Sequence, residues 1–320
     1  MDRRRLGSLL GILVGVVGIA FVAAQIVRDR DTFAEALGSA SLPWLGAAVV
    51  AGLASMAGIG VNWIAVLHHH GATARRRSGL VWFFVGQLGK YVPGGIWPIV
   101  GQAELANRGG VPRSAAYPAT AWSMMAQLLG AATVAAAAGF VSGADRAVAA
   151  SLLTTGILTV LAAVSSTRLR AGVTRLAARL VPDRRLVLPE GRWLAVQVAR
   201  HVPVWVMYSA MNVAVVVALG ADMSWGFAAD VGFATCVSWI AGFVIVGLPG
   251  GIGVREATFV SLMTAPLGAG LAASIAVTSR IVTIVVDLLG AGVSTAAAPR
   301  PAARPVPPPP AGAPTAPEHE

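Results

Sequence analysis

Six long apolar runs recur along the chain, at approximately 6–27, 44–67, 115–140, 147–166, 193–219 and 272–294. Each is close to the ~20 residues that a helix needs to cross the hydrocarbon of a bilayer. Two further regions, roughly 79–110 and 227–268, are apolar but interrupted by proline and glycine. The pattern predicts an all-α polytopic membrane fold with about six full spans and two re-entrant, broken hairpins.

Composition agrees with that pattern. Of 320 residues, 56% are hydrophobic and 12% charged, and the mean hydropathy of +0.72 excludes an ordinary water-soluble globule. A net charge of +10 would suggest nucleic acid in a soluble domain. Here the arginines cluster in short loops between apolar runs, which the positive-inside rule explains without nucleic acid. Cys236 stands alone, so it closes no internal disulfide and builds no cysteine metal site; packing is its expected role. The N-terminal run has a basic start and small residues near Ala23 and Ala24, so a signal peptide is weighed against a retained first helix, and its length favours the helix.

Charge also orients the spans. Arg3, Arg4 and Arg5, then Arg75, Arg76 and Arg77, then the loop from Arg168 to Arg192 belong on the cytoplasmic side. The connections near Asp31, Asp145 and Asp222 are then external. For 115–140 to run outward from a chain already inside at Arg77, the region 79–110 must enter and leave on the cytoplasmic face. The region 227–268 dips in from the opposite face, and both termini are expected in the cytoplasm. In the basic loop Leu169, Val173, Leu176 and Leu180 recur at helical spacing, which suits either a helix lying on anionic headgroups or a solvated connector. The domain is expected to end near 298, with a proline-rich tail over 299–320 that lacks apolar periodicity.

The two broken regions share a tetrapeptide, Pro93-Gly94-Gly95-Ile96 and Pro249-Gly250-Gly251-Ile252. Each lies between two spans, 44–67 with 115–140 and 193–219 with 272–294, so the units 44–140 and 193–294 read as an inverted repeat. Such repeats place substrate sites where the two breaks meet. Proline and glycine end a helix and free backbone groups that hydrocarbon cannot satisfy, so these groups must face protein or a polar cavity. A helix starting just after Gly95 or Gly251 would offer unpaired amides to an anion. Lys90, the only lysine, and Arg255 add full charge nearby. The competing reading is two structural kinks, with Lys90 reaching along its stem to the interface.

At these residues the chain resembles the transmembrane flippase-like family typified by the membrane region of lysylphosphatidylglycerol synthase. The resemblance covers about 6–294. Its most specific piece is "LPGGIGVREATFVSLMTAPLGAG" followed by "AVTSRIVTIVVDLLG" with Arg280, and "GQLGKYVPGGIWPIVGQAEL" resembles the earlier proline-glycine element. The span after the first break departs from the family, offering Ser123 and Gln127 where relatives carry charge. The resemblance implies translocation of a phospholipid or lipid-linked substrate across the plasma membrane, and not synthesis, since no room remains for a synthase domain.

The expected substrate-binding set is therefore Lys90, Pro93, Gly94, Gly95, Pro249, Gly250, Gly251, Arg255, Glu256, Arg280 and Asp287. Arg255 and Glu256 diverge by about 100° on a helix start, so Arg255 can grip a phosphate while Glu256 caps amides, meets a cationic headgroup or pairs with Arg280. Arg280 and Asp287 stand seven residues apart on one helix face. They either share a cavity, or Asp287 approaches the cytoplasmic surface. Glu104 and Arg108 have the spacing of a helical ion pair. His201 and Asn212 suit interhelical hydrogen bonds. His68, His69 and His70 read as a juxtamembrane loop in preference to a metal site, and Trp44, Trp63, Trp82, Trp97, Trp193 and Trp225 as interfacial anchors. No cofactor or metal is expected, and without a phosphate-loop motif the chain does not hydrolyse ATP. Expected partners are an anionic phospholipid or lipid-linked substrate and the membrane, with a homo-oligomer or a separate lipid-modifying enzyme compatible. The rival functions are a membrane-embedded transferase using a lipid-linked donor and a non-transporting partner protein.

Overall fold

The computed structural model describes residues 30–92, 96–168, 190–245 and 249–297, together with 24, 27, 28 and 171. The order is α1 (Arg30–Gly38), α2 (Leu42–His69), α3 (Arg76–Gln87) running into a 3-10 turn (Leu88–Tyr91), α4 (Trp97–Arg108), α5 (Arg113–Ser142) and α6 (Ala144–Ser165). There follow α7 (Gly191–Ala218), α8 (Trp225–Val244), a second 3-10 turn (Pro249–Gly251), α9 (Val254–Leu267) and α10 (Ala269–Ala296). No strand occurs among the described residues, so the all-helical expectation holds.

Among the described residues five helices, α2, α5, α7, α8 and α10, are long and apolar enough to cross a membrane. Four of them are the expected spans 44–67, 115–140, 193–219 and 272–294. The expected span 147–166 is α6, whose apolar stretch, Arg146–Ala162, is shorter. The helix α8 differs from expectation. The first arm of the second broken region is a continuous 20-residue helix because 225–244 contains no proline, and its partner α9 has only 14 residues. The expected first span 6–27, the lipid-surface helix around Leu169 to Leu180 and the tail 299–320 lie outside the described residues.

Contacts between helix ends establish how the bundle is threaded. The helices α2 and α7 run antiparallel: the Ser41 amide donates to the Ala218 carbonyl at one end (2.8 Å), and His69 stacks on Trp193 at the other (4.6 Å). Trp63 Nε1 donates to Thr120 Oγ1 (3.0 Å), placing the start of α5 beside the end of α2. Arg146 binds the Asp230 carboxylate and donates to the Leu262 carbonyl, which gathers the start of α6, the start of α8 and the end of α9 at the opposite end. Thus the α3/α4 hairpin enters and leaves at one end of the bundle and the α8/α9 hairpin at the other. The acidic connections at Asp31, Asp145 and Asp222 all fall on the end that α8 enters.

Polar side chains tie the spans together where hydrocarbon leaves them no water. Ser55 donates to the Val204 carbonyl and Asn62 to the Arg200 carbonyl, both at 3.0 Å and both near Pro203 inside α7. Trp205 Nε1 donates to the Gln127 carbonyl of α5 at 2.9 Å. The hairpin arms touch through glycine. A Cβ on Gly86 would lie 2.7 Å from the Gln102 amide nitrogen, and one on Gly251 would lie 2.8 Å from Gly242 Cα, so neither pair of arms could close with larger residues.

Candidate functional site: charged residues where the two hairpins meet

The two 3-10 turns, Leu88–Tyr91 and Pro249–Gly251, meet inside the bundle. Gly250 has a positive φ of 55°, which a residue without a Cβ adopts at little cost. A Cβ there would sit 3.0 Å from Arg280 Nη2 and 3.4 Å from the Lys90 carbonyl oxygen. The Gly250 carbonyl, released from helical bonding by the break, accepts from Arg280 Nη1 at 3.1 Å. A backbone group freed in the second hairpin is therefore satisfied by a cation of the last span, as hydrocarbon requires.

Asp287, fully buried on α10, receives two donors from the first hairpin through one oxygen: Lys90 Nζ at 2.6 Å and the Tyr91 hydroxyl at 2.5 Å. Its other oxygen, Oδ1, has no hydrogen-bond partner among the described residues. Glu256 accepts from the Gly253 amide at 2.7 Å and approaches Arg280 Nε at 3.8 Å. The Arg255 guanidinium lies over the Trp239 ring, 5.5 Å from its centroid, and its Nε has no hydrogen-bond partner. Three cations against two carboxylates leave the cluster one unit positive.

Beside these groups is a cavity of about 260 Å³. Lys90, Arg255 and Gln87 supply polar lining, while Ile96, Ile99 and Phe243 supply apolar walls. Val92, Ile96 and Val244, at the tips of the hairpin arms, are exposed. The space thus has a cationic floor and an oily side, and can hold an anionic group joined to a hydrocarbon chain.

The tertiary structure brings together seven of the expected residues: Lys90, Gly250, Gly251, Arg255, Glu256, Arg280 and Asp287. Pro249 shares the turn of Gly250, and Pro93, Gly94 and Gly95 lie outside the described residues. Arg280 and Asp287 do face one site, and Asp287 does not reach the surface. The open helix start expected after Gly251 is corrected: α9 begins at Val254 and the Glu256 carboxylate already caps its first turn. Sequence reading passed over Tyr91 and Trp239. Tyr91 adjoins Lys90 in the motif and could have been found there; Trp239 sits mid-helix among apolar residues and carries no such signal.

Other expectations change. Glu104 pairs with Arg113 through two bonds of 2.9 and 2.8 Å and accepts from Tyr117, in place of Arg108. The turn after α4 folds Arg113 back, and the planar fork of arginine favours that two-point contact. The hydrogen bonds from the Arg113 guanidinium, then from Tyr117, hold the Glu104 carboxyl below its usual range. His201 and Asn212 bond within α7, to the Gln197 and Tyr208 carbonyls, because those acceptors lie one turn away. Trp63 is 1% exposed and belongs to the core, whereas Trp225 is 93% exposed. His68 and His70 bond to backbone carbonyls, and no group able to hold a metal occurs among the described residues. Cys236 is buried, as a packing residue should be.

The family model described as the lysylphosphatidylglycerol synthase TM region matches residues 8–291. The chain belongs to this family. The match covers every helix of the site, from the first hairpin to Asp287, and makes the chain a multi-pass membrane protein of that family. A comparison with curated proteins found no match.

Proposed function

We propose that the protein carries a phospholipid or lipid-linked substrate between the leaflets of the plasma membrane. The observation that carries this reading is the cavity with cations at its floor and apolar walls, placed where the two helix breaks meet. Lys90 and Arg255 receive the phosphate, Arg280 supports the second break, and Glu256 and Asp287 hold the cations in position. The hydrocarbon chain leaves past Ile96 and Phe243. The name of the family, which speaks of a lipid synthase, supports lipid as the cargo.

The units 44–140 and 193–294 act as an inverted repeat, with one hairpin reached from the cytoplasm and the other from outside. Rocking one unit against the other would expose the shared cavity to each leaflet in turn. Both termini lie in the cytoplasm on this reading, which the arginine-rich loops support. Movement is either downhill or coupled to an ion gradient or a partner.

Reconstituted vesicles holding a fluorescent anionic phospholipid test the reading. Accelerated leaflet exchange, lost in Arg255→Ala and Arg280→Ala, is expected. No acceleration by the native protein, or exchange unchanged in both variants, would refute it.

A further inference from the structure

Beside the large cavity, sharing Tyr208, Trp239, Arg255 and Thr283 with it, lies a second, smaller space of about 50 Å³. Arg255 lines both spaces, but Lys90 reaches only the large one, and Arg280, Thr235 and Ser279 only the small one. Four buried donors lack a hydrogen-bond partner among the described residues: Thr235 Oγ1 and Ser279 Oγ on residues that line only the small space, and Arg255 Nε and Arg280 Nη2 beside Gly242, Gly250 and Gly251 where the two spaces adjoin. Thr235 is only 3% exposed. A buried donor left unmade carries its full desolvation penalty, and a larger one where it is charged, so four together where the two spaces adjoin call for an acceptor.

Two of these donors are guanidinium N–H groups, so an anion matches the set best. A cation would face two guanidinium groups, and a neutral hydroxyl could answer the threonine and serine while leaving both guanidinium N–H groups opposite an uncharged atom. Glu256 also lines the space, but its oxygens are directed to the Gly253 amide and Arg280 Nε.

We infer that the small space is a second phosphate subsite, and that the preferred cargo is a lipid diphosphate. This rests on the carrier reading above. One phosphate occupies the large cavity between Lys90 and Arg255. The next, linked through a shared oxygen, enters the small space between Arg255 and Arg280 with Thr235 and Ser279 donating. Arg255, which lines both spaces and stacks on Trp239, bridges the two phosphates. A monophosphate fills only one of the two.

The test is thermal unfolding of the full chain in detergent, titrated with inorganic pyrophosphate and with orthophosphate. Pyrophosphate is expected to stabilise at a concentration at least tenfold lower. Thr235→Val and Ser279→Ala should each move the pyrophosphate midpoint toward that of orthophosphate. Equal midpoints in the native protein, or a pyrophosphate midpoint unmoved by both variants, would overturn the inference. Leaflet exchange of a fluorescent lipid monophosphate and of the corresponding diphosphate separates this from the carrier reading. Exchange without a pyrophosphate preference sinks the subsite and keeps the carrier. A pyrophosphate preference that the variants abolish, without any exchange, keeps the subsite and sinks the carrier.

Discussion

Asp287→Leu removes the one carboxylate that compensates Lys90. At 2.6 Å the Lys90–Asp287 attraction is about 6 kcal/mol with an effective dielectric of ~20. Taking both charges out of water offsets much of this, and breaking a buried pair from one side typically costs about 3–5 kcal/mol. Here the cost falls in that range, because the Lys90 side chain is only 14% exposed. Arg255 and Arg280 are its nearest charged neighbours once the carboxylate is gone. Tyr91 also loses a charged acceptor. Lys90→Met alone should cost a similar amount by stranding Asp287. The double variant Lys90→Met/Asp287→Leu replaces the pair with apolar volume, and buried pairs so replaced are often neutral or better. Equilibrium unfolding in mixed micelles, followed by tryptophan fluorescence, reads all four corners of the cycle. The expected coupling is several kcal/mol, with the double variant more stable than either single one and inactive in lipid exchange. Single costs below about 1 kcal/mol, or costs that simply add, would show that the pair is loose and solvated and would refute the reasoning.

Cys236, buried on α8, serves as a built-in probe of the second hairpin. Arg146→Met, which cuts the ties to Asp230 and Leu262, should speed maleimide labelling of that thiol severalfold; unchanged labelling would mean that Arg146 does not hold the hairpin shut. The lowered Glu104 pKa gives a stabilising contribution that is complete above the unfolded carboxylate value of 4.5 and is lost as pH falls through the lower folded value. Melting curves of native protein and Glu104→Gln should therefore converge in acid and separate toward neutral pH, and a gap independent of pH would count against the Arg113 contact.

The site also explains how one chain tolerates five charges at the meeting point of two broken helices. Each carboxylate does two tasks. Asp287 neutralises Lys90 and holds Tyr91, while Glu256 caps α9 and faces Arg280. What is left over is a single positive charge and a set of unfilled donors, concentrated on Arg255 and Arg280. On the carrier proposal, a site arranged in this way would draw its binding energy from the cargo's anion.

Much of the architecture was legible along the chain. Spans such as α2, α5, α7 and α10 declare themselves because a lipid-crossing helix must be apolar for its whole length, a local property of consecutive residues. The paired Pro-Gly-Gly breaks were visible for the same reason, since proline and positive-φ glycine act on their own backbone. The seven-residue spacing of Arg280 and Asp287 already put them on one helix face. Tertiary structure alone decided the partners. That Asp287 takes Lys90 and Tyr91, that Glu104 turns to Arg113, and that Trp63 lies in the core depend on contacts between residues 9 to 197 positions apart or on the packing of separate spans. Side-chain pairing in the interior is set by which helices meet and at what height. A linear pattern records which residues prefer lipid, but not which neighbour each will find.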